Sequence, residues 1–462
     1  MSEKQQKIQL KLAFMIEGEV KPDSLIKGGA ETLIAERKLE NPTSSRQLME
    51  EILARENVEV AVRNVRANKG SPGIDGMGVE ELPAYLKEHW VDLRAQLMEG
   101  TYKPQPVKRV EIPKPDGGTR KLGIPVVLDR FIQQAVLQVL QRYWDGTFSE
   151  HSYGFRPKRS APQAVAQAQR YIHEGYGVVV DIDLEKFFDR VNHDRLMSRI
   201  AERVGDKRVL KLIRSYLNAG VMEDGLVSPT EEGTPQGGPL SPLLSNLVLD
   251  ELDKELERRG HRFARFADDC NIYVRSQRAG ERVMKSISNF ITNRLKLKVN
   301  EQKSAVGRPH ERKFLGFSFT NEAEAKRRIA PKSLERFKNR VREITRRKRG
   351  VSLEQMVKEL SEYLRGWNNY YGHCDIPGKL KSLNGWVRRR LRSFIWTQWK
   401  NWGTRYRELT KRGVNQQAIA KILILRKKGS WGSSISLAMN RAFPNRYFRS
   451  IGLHELTICK DV

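Results

Sequence analysis

Apolar positions along the chain alternate between a helical period near 3.6 and short runs or alternations typical of strands, so helices and strands are interleaved throughout. From Arg46 the pattern is helical, with Leu48, Ile52, Leu53, Val58 and Val62 ahead of the turn-rich loop Lys69 to Gly76. Residues Val107 to Pro125 read as two strand-like pieces joined by an Asp116-Gly117-Gly118 turn, a hairpin tipped with basic groups. The β-branched run Val178 to Ile182 reads as a buried strand leading into a helix-like stretch, and a further helix is expected near Val209 to Leu217. The Gly- and Pro-rich loop Gly233 to Pro239 opens an apolar helix. Two short apolar runs, Arg262 to Phe266 and Asn271 to Val274, predict a β-hairpin. Pro331 opens a helix whose Leu334, Phe337, Val341 and Ile344 mark its inner face, with arginines on the rest. Trp396, Trp399 and Trp402 recur every third residue and are expected to bury one face of a helix. Residues 1–44 are polar and irregular, and are expected to form a loosely ordered extension.

The bend of the hairpin at Arg262 to Val274 carries Asp268 and Asp269 side by side. Adjacent anions repel, and a raised pKa or a bound cation relieves them; a divalent metal is the simplest relief. A second acidic cluster, Asp181, Asp183 and Asp189, follows the strand that begins at Val178. If the two strands lie side by side, Asp183 and Asp268 can share two Mg²⁺ ions about 3.5 to 4 Å apart, the arrangement that activates a 3′ hydroxyl and steadies a leaving pyrophosphate. That is polymerase chemistry. The segment from Asp181 also imitates the start of a calcium loop, but Lys186 stands where that loop needs glycine and Asn192 where it needs glutamate, which argues against calcium.

Charge points the same way. Lys and Arg outnumber Asp and Glu by 84 to 55, a net +29, and this excess implies a polyanionic partner, nucleic acid ahead of a membrane surface. Residues 331–462 hold 30 basic against 9 acidic side chains and carry +21 of that charge, interleaved with six of the eight tryptophans and with clusters such as Arg388 to Arg390 and Arg426 to Lys428. Three scattered cysteines without a C-x-x-C pair argue against a disulfide framework or a cysteine zinc site. No signal-like or membrane-spanning apolar stretch occurs, so a cytoplasmic protein that is neither exported nor membrane-embedded is expected.

Seven blocks, in order, resemble the reverse transcriptases encoded by bacterial group II introns, also called intron maturases. They are Lys114 to Pro125, Ser152 to Pro157, Asp183 to His193, Pro235 to Pro242, Phe266 to Asp269, Phe314 to Phe319 and Leu364 to Tyr371, and the likeness runs from about residue 45 to the end. The resemblance implies an α+β right-hand polymerase: fingers and an antiparallel palm over 45–320, a helical thumb called domain X over 321–395, and a basic DNA-binding region over 396–462. It implies Asp183, Asp268 and Asp269 as catalytic carboxylates holding two Mg²⁺. Lys114 and Arg120 would contact the incoming triphosphate, and Phe188 would lie under its sugar and exclude a ribose 2′-OH. Gln236 and Gly237 would lie beside the nascent base pair, and Lys303 would protonate departing pyrophosphate. The solvated-cation reading stands beside the roles of Lys114, Arg120 and Lys303, a core aromatic beside that of Phe188, and a plain helix-entry turn beside that of Gln236 and Gly237. Arg365 to Trp367 and Tyr370-Tyr371 are the thumb signature and are expected to be structural.

The chain departs from the family in beginning its hairpin motif with Phe266 where tyrosine is usual, which leaves the carboxylates alone. It also lacks an HNH-like set of His and Cys ligands, so the homing endonuclease is expected to be absent and priming to use an existing 3′ end. The expected partners are intron RNA, template RNA, primer or target DNA and dNTPs, with monomer and dimer both open. A domesticated relative in repair or phage defence, and a nonenzymatic splicing factor, are the alternatives; the intact carboxylate set argues against the second.

Overall fold

The computed structural model describes residues 47–113, 119–185, 187–223, 226–228, 237–322, 324–424 and 429–459. Residues 1–44, Lys114, Gln236, the side chain of Arg120 and the cluster Arg426 to Lys428 lie outside that description.

The helical pattern from Arg46 resolves into α1 (Leu48–Ile52) and α2 (Arg55–Ala67), divided where Ala54 turns extended. The next helix, α3 (Leu82–Glu99), stops at Gly100, whose left-handed φ of 68° suits a residue without a Cβ. Strands β1 (Val107–Pro113) and β2 (Thr119–Ile124) pair antiparallel with Pro113 opposite Thr119, forming the expected hairpin. There follow α4 (Val127–Trp144), α5 (Ala161–His173), β3 (Val178–Ile182), α6 (His193–Ala201), α7 (Lys207–Leu217), β4 (Val221–Glu223), β5 (Leu226–Ser228) and α8 (Ser241–Arg258). Strands β6 (Arg262–Phe266) and β7 (Asp269–Val274) precede α9 (Gln277–Phe290), β8 (Ala305–Gly307), β9 (Phe317–Phe319) and β10 (Arg327–Ile329). Helices α10 (Pro331–Ile344), α11 (Leu353–Tyr371), α12 (Pro377–Gln398), α13 (Trp402–Lys411) and α14 (Gln416–Ile424) lead to three short ones ending at Ser450.

Among the described residues the strands form two four-stranded sheets, ordered β2-β1-β4-β5 and β6-β7-β3-β8, and the pair β9-β10. The short strands β4 and β5 carry no pattern long enough to be legible in the sequence; β4 pairs parallel to β1, with Val107 opposite Val221. By backbone contacts the chain divides into two compact units. The first contains the described residues up to Ser160 with Val180–Ile272 and Glu281–Ala305. Here α4 buries eleven residues, including Phe131, Val136 and Trp144. Asn57 ties α2 to it, donating from one amide nitrogen to Ile52 O at 2.8 Å and Ala135 O at 3.0 Å. Asp206 caps α7 by accepting from Arg208 N at 2.9 Å, and its other oxygen accepts from Met49 N of α1 at 3.0 Å.

The second unit contains Ala161–Val179, Tyr273–Gly280 and Val306–Val462. Its expected helix at Pro331 buries Phe337, Val341 and Ile344 as the spacing requires, while Leu334 stays half-exposed. Trp367 packs 4.4 Å from Phe337 and 4.8 Å from Tyr371, ring to ring, so this aromatic signature builds core. The three spaced tryptophans do not share one helix: α12 ends at Gln398 and Trp402 begins α13, leaving only Trp396 and Trp399 buried. The Arg388 to Arg390 cluster is likewise engaged in the fold. Arg388 pairs with Glu455 at 3.1 Å, Arg389 lies 3.9 Å over the Trp431 ring, and Arg390 donates to Thr345 Oγ1 at 2.9 Å.

Candidate active site

Only Ala267 and Asp268 separate β6 from β7, so the bend is tighter than the apolar runs imply and Asp269 already belongs to the strand. Ala267 holds φ at 56°, a conformation that a residue with a Cβ rarely takes. Asp268 is half-buried at the turn and Asp269 is exposed. Beneath them Arg265, 1% exposed, directs its guanidinium into the protein. Its Nε donates to Asp253 Oδ1 at 2.7 Å, and Nη2 donates to Asp253 Oδ2 at 2.5 Å and Ser152 Oγ at 2.7 Å. Its Nη1 donates to Asn246 Oδ1 at 3.1 Å and to the Ala267 carbonyl at 2.9 Å. These five contacts match the five N–H donors of an arginine.

The segment around Ser152 is laid along β6 by two backbone bonds, Tyr153 N to Arg265 O at 2.8 Å and Arg265 N to His151 O at 2.9 Å. Gly154 then passes so close to the turn that a Cβ on it would lie 2.2 Å from Ala267 N. Asn246 closes the arrangement by donating to Gly154 O at 2.8 Å. None of these supports was identified from the sequence. The signal was available in α8, where Asn246, Asp250 and Asp253 recur at spacings of four and three among its leucines and are all buried.

Asp183 follows the last residue of β3, the strand next to β7. The buried Cys270 thiol is pushed up by its burial, and the charges of Asp253, Asp181 and Asp269 add to the effect. The end of β3 and the start of β7 therefore share one local field. Asp183 is held by its backbone: Asn300 N donates to its carbonyl at 2.8 Å and its own N–H donates to Ser304 Oγ at 3.0 Å. The same turn brings Lys303 Nζ to 3.7 Å from Asp183 Oδ1. With the lysine side chain 66% exposed, this pair contributes at most about 1 kcal/mol to stability.

Phe187 and Phe188 pack edge to face at 5.2 Å in a single turn; Phe187 is buried and Phe188 half-buried. Gly237 has φ 133°, and a Cβ there would fall 2.3 Å from the carbonyl oxygen of Gly123 on β2. At Gly238 a Cβ would meet Gln133 Oε1 of α4 at 2.4 Å. The 237–238 backbone is thus seated against β2 and α4, at a separation only glycine permits. Arg120 lies on β2 opposite Ile112.

Among the described residues no three His, Cys, Asp or Glu side chains are gathered as a metal cage. The carboxylate oxygens at 183, 268 and 269 are hard donors suited to Mg²⁺, which is commonly held by one or two carboxylates and completed by substrate phosphates. The donor set fits that mode of binding. Among the described residues, no helix is long and apolar enough to cross a membrane.

Residues 112–319 match the family model described as reverse transcriptase (RNA-dependent DNA polymerase), and residues 334–413 match the group II intron maturase-specific domain. Protein YkfC of Escherichia coli is 38% identical over 43% of this chain and 54% of its own length. The group II intron-encoded protein LtrA of Lactococcus lactis is 37% identical over 42% of this chain and 32% of its own. The chain therefore spans about half the length of the first and about a third of the second. A chain of the partial Cas6-RT-Cas1--Cas2 complex is 27% identical over 53% of this chain and 42% of its own length, and its TM-score of 0.35 is too low to bear on the fold. The chain thus carries a reverse transcriptase segment followed by a maturase-specific one, and it is similar to proteins encoded by group II introns.

Proposed function

We propose that the protein is an RNA-directed DNA polymerase that binds its parent group II intron RNA, assists its splicing and copies it into DNA. The observation that carries this reading is the carboxylate pair at the β6–β7 turn, with Asp183 at the end of the neighbouring strand. Asp183, Asp268 and Asp269 would hold two Mg²⁺. When bound, these ions lower the pKa of a primer 3′ hydroxyl and neutralise charge on the departing pyrophosphate. Phe188, half-buried, would exclude the ribose 2′-OH, and the glycine backbone at 237 would allow close approach of the new base pair. Lys303, beside Asp183, would donate a proton to the leaving pyrophosphate. In this reading the sheet β6-β7-β3-β8 is the palm, the β1–β2 hairpin a fingertip carrying Lys114 and Arg120, and residues from about 321 the thumb and basic DNA-binding region.

The RNA-binding half is supported by a cleft of about 970 Å³ in the second unit, lined by Arg346, Arg347, Lys348, Lys400 and Arg405 and, among the described residues, by no carboxylate. Several cations lining one cleft favour a run of phosphates. The test is primer extension on an RNA template with Mg²⁺. The wild type is expected to make cDNA, and Asp268→Ala to make none while binding RNA as tightly as before. An inactive wild type, or a variant that extends normally, refutes the polymerase. Sequencing the RNA that copurifies from the native host tests the partner: one enriched structured intron is expected, and a broad mixture of cellular RNA refutes the maturase half.

A further inference from the structure

We propose that Arg265 is a positioning residue for the reaction, aiming the carboxylates at 268 and 269 through the Ala267 carbonyl. This rests on the polymerase reading, and it goes beyond that reading in assigning the turn's geometry to one buried cation. The contacts carry it. A buried ion pair alone is weak evidence for stability, since apolar side chains of similar volume often serve as well. Arg265 does more than pair with Asp253: its remaining donors reach Ser152, Asn246 and the Ala267 carbonyl, in three separate segments that meet at the turn. Ala267 is the residue with the left-handed backbone, and it immediately precedes Asp268.

A planar fork fixed at one end by a two-toothed carboxylate contact transmits a defined orientation to the carbonyl at its other end. Gly154, itself held by Asn246, closes the opposite side of that carbonyl's residue. Rotation of the Ala267 peptide would swing Asp268, and a displacement near 1 Å at reacting groups costs on the order of 100-fold in rate. Lysine keeps the charge that Asp253 requires but cannot reproduce the fork.

The experiment compares wild type, Arg265→Lys and Asn246→Ala. The second variant leaves the Arg265–Asp253 pair intact and removes the acceptor beside the Ala267 contact together with the amide bond that holds Gly154. Mn²⁺ binding is measured by electron paramagnetic resonance on protein alone, hydrogen exchange on peptides spanning 262–274, and primer extension as kcat and KM for dNTP. Arg265→Lys is expected to lower kcat on the order of 100-fold. It should weaken Mn²⁺ binding several-fold and speed exchange at the turn, with KM for dNTP and RNA affinity unchanged. Asn246→Ala should show the same pattern to a lesser degree. If Arg265→Lys does not fold, Asn246→Ala decides alone, and wild-type values for its Mn²⁺ affinity and turn exchange overturn the proposal. A folded Arg265→Lys with wild-type Mn²⁺ affinity overturns it as well. Should the wild type fail to extend any primer, the polymerase reading falls, and the metal and exchange measurements still judge Arg265.

Discussion

Asp129, in the first turn of α4, offers a test of the structure through pH. The carboxylate is 1% exposed and accepts from Tyr102 Oη at 2.7 Å and Gln105 N at 3.0 Å. Burial, the largest influence, outweighs those hydrogen bonds and raises its pKa from 3.8 to about 6. The folded protein therefore keeps a proton that the unfolded chain has released, and stability falls as pH rises from about 4 to about 6. Below that window the group is neutral in both states and no penalty exists; above it the full penalty applies, about 3 kcal/mol from the separation of the two values. Asn can keep both contacts, its oxygen accepting from Gln105 N and its amide donating to the Tyr102 hydroxyl. Asp129→Asn is thus expected to be more stable than wild type by up to about 3 kcal/mol at pH 7, with the advantage vanishing near pH 4. The assay is urea denaturation at pH 4, 5, 6 and 7, read by hydrogen exchange in peptides of α4. A difference independent of pH, or a variant less stable at pH 7, refutes the reasoning.

Three further outcomes are expected. Phe188→Ala should raise kcat/KM for ribonucleotides relative to deoxyribonucleotides by about 10- to 200-fold, the range that one lost apolar contact commands; an unchanged ratio leaves Phe188 a core aromatic. Gly237→Ala places a Cβ 2.3 Å from Gly123 O at φ 133°. With backbone strain of roughly 1–3 kcal/mol, it should raise KM for dNTP without altering RNA affinity, and unchanged steady-state kinetics would remove that loop from the site. Replacing Arg346, Arg347 and Lys348 together by alanine should weaken RNA binding for all sequences and make the logarithmic salt slope shallower by about 2 to 3; filter binding across 50–200 mM salt measures it, and an unaltered slope excludes the cleft.

Much of the site was legible because its chemistry is local. Asp268 and Asp269 stand next to each other, and the apolar runs around them can only be strands joined by a bend. Even there the runs set the bend too wide, since the strand resumes at Asp269 and its outward side chain carries no apolar mark. Arg265 was not legible. Its position reads as an ordinary charged residue in a short strand, and its side-chain acceptors lie 12 to 113 residues away.

The arginines separate the two kinds of information most clearly. Periodicity and residue type, read along the chain, were enough to place several of the helices, the strand-end carboxylates and the +21 charge of residues 331–462. They could not divide that charge by role. Arg389 lies on Trp431, Arg390 donates to Thr345 and Arg392 donates to the Phe443 carbonyl, whereas Arg346 and Arg347 line an open cleft. An arginine becomes scaffold or binding surface according to which acceptors and rings arrive within hydrogen-bonding or stacking distance, and those arrive from distant parts of the chain only when it folds.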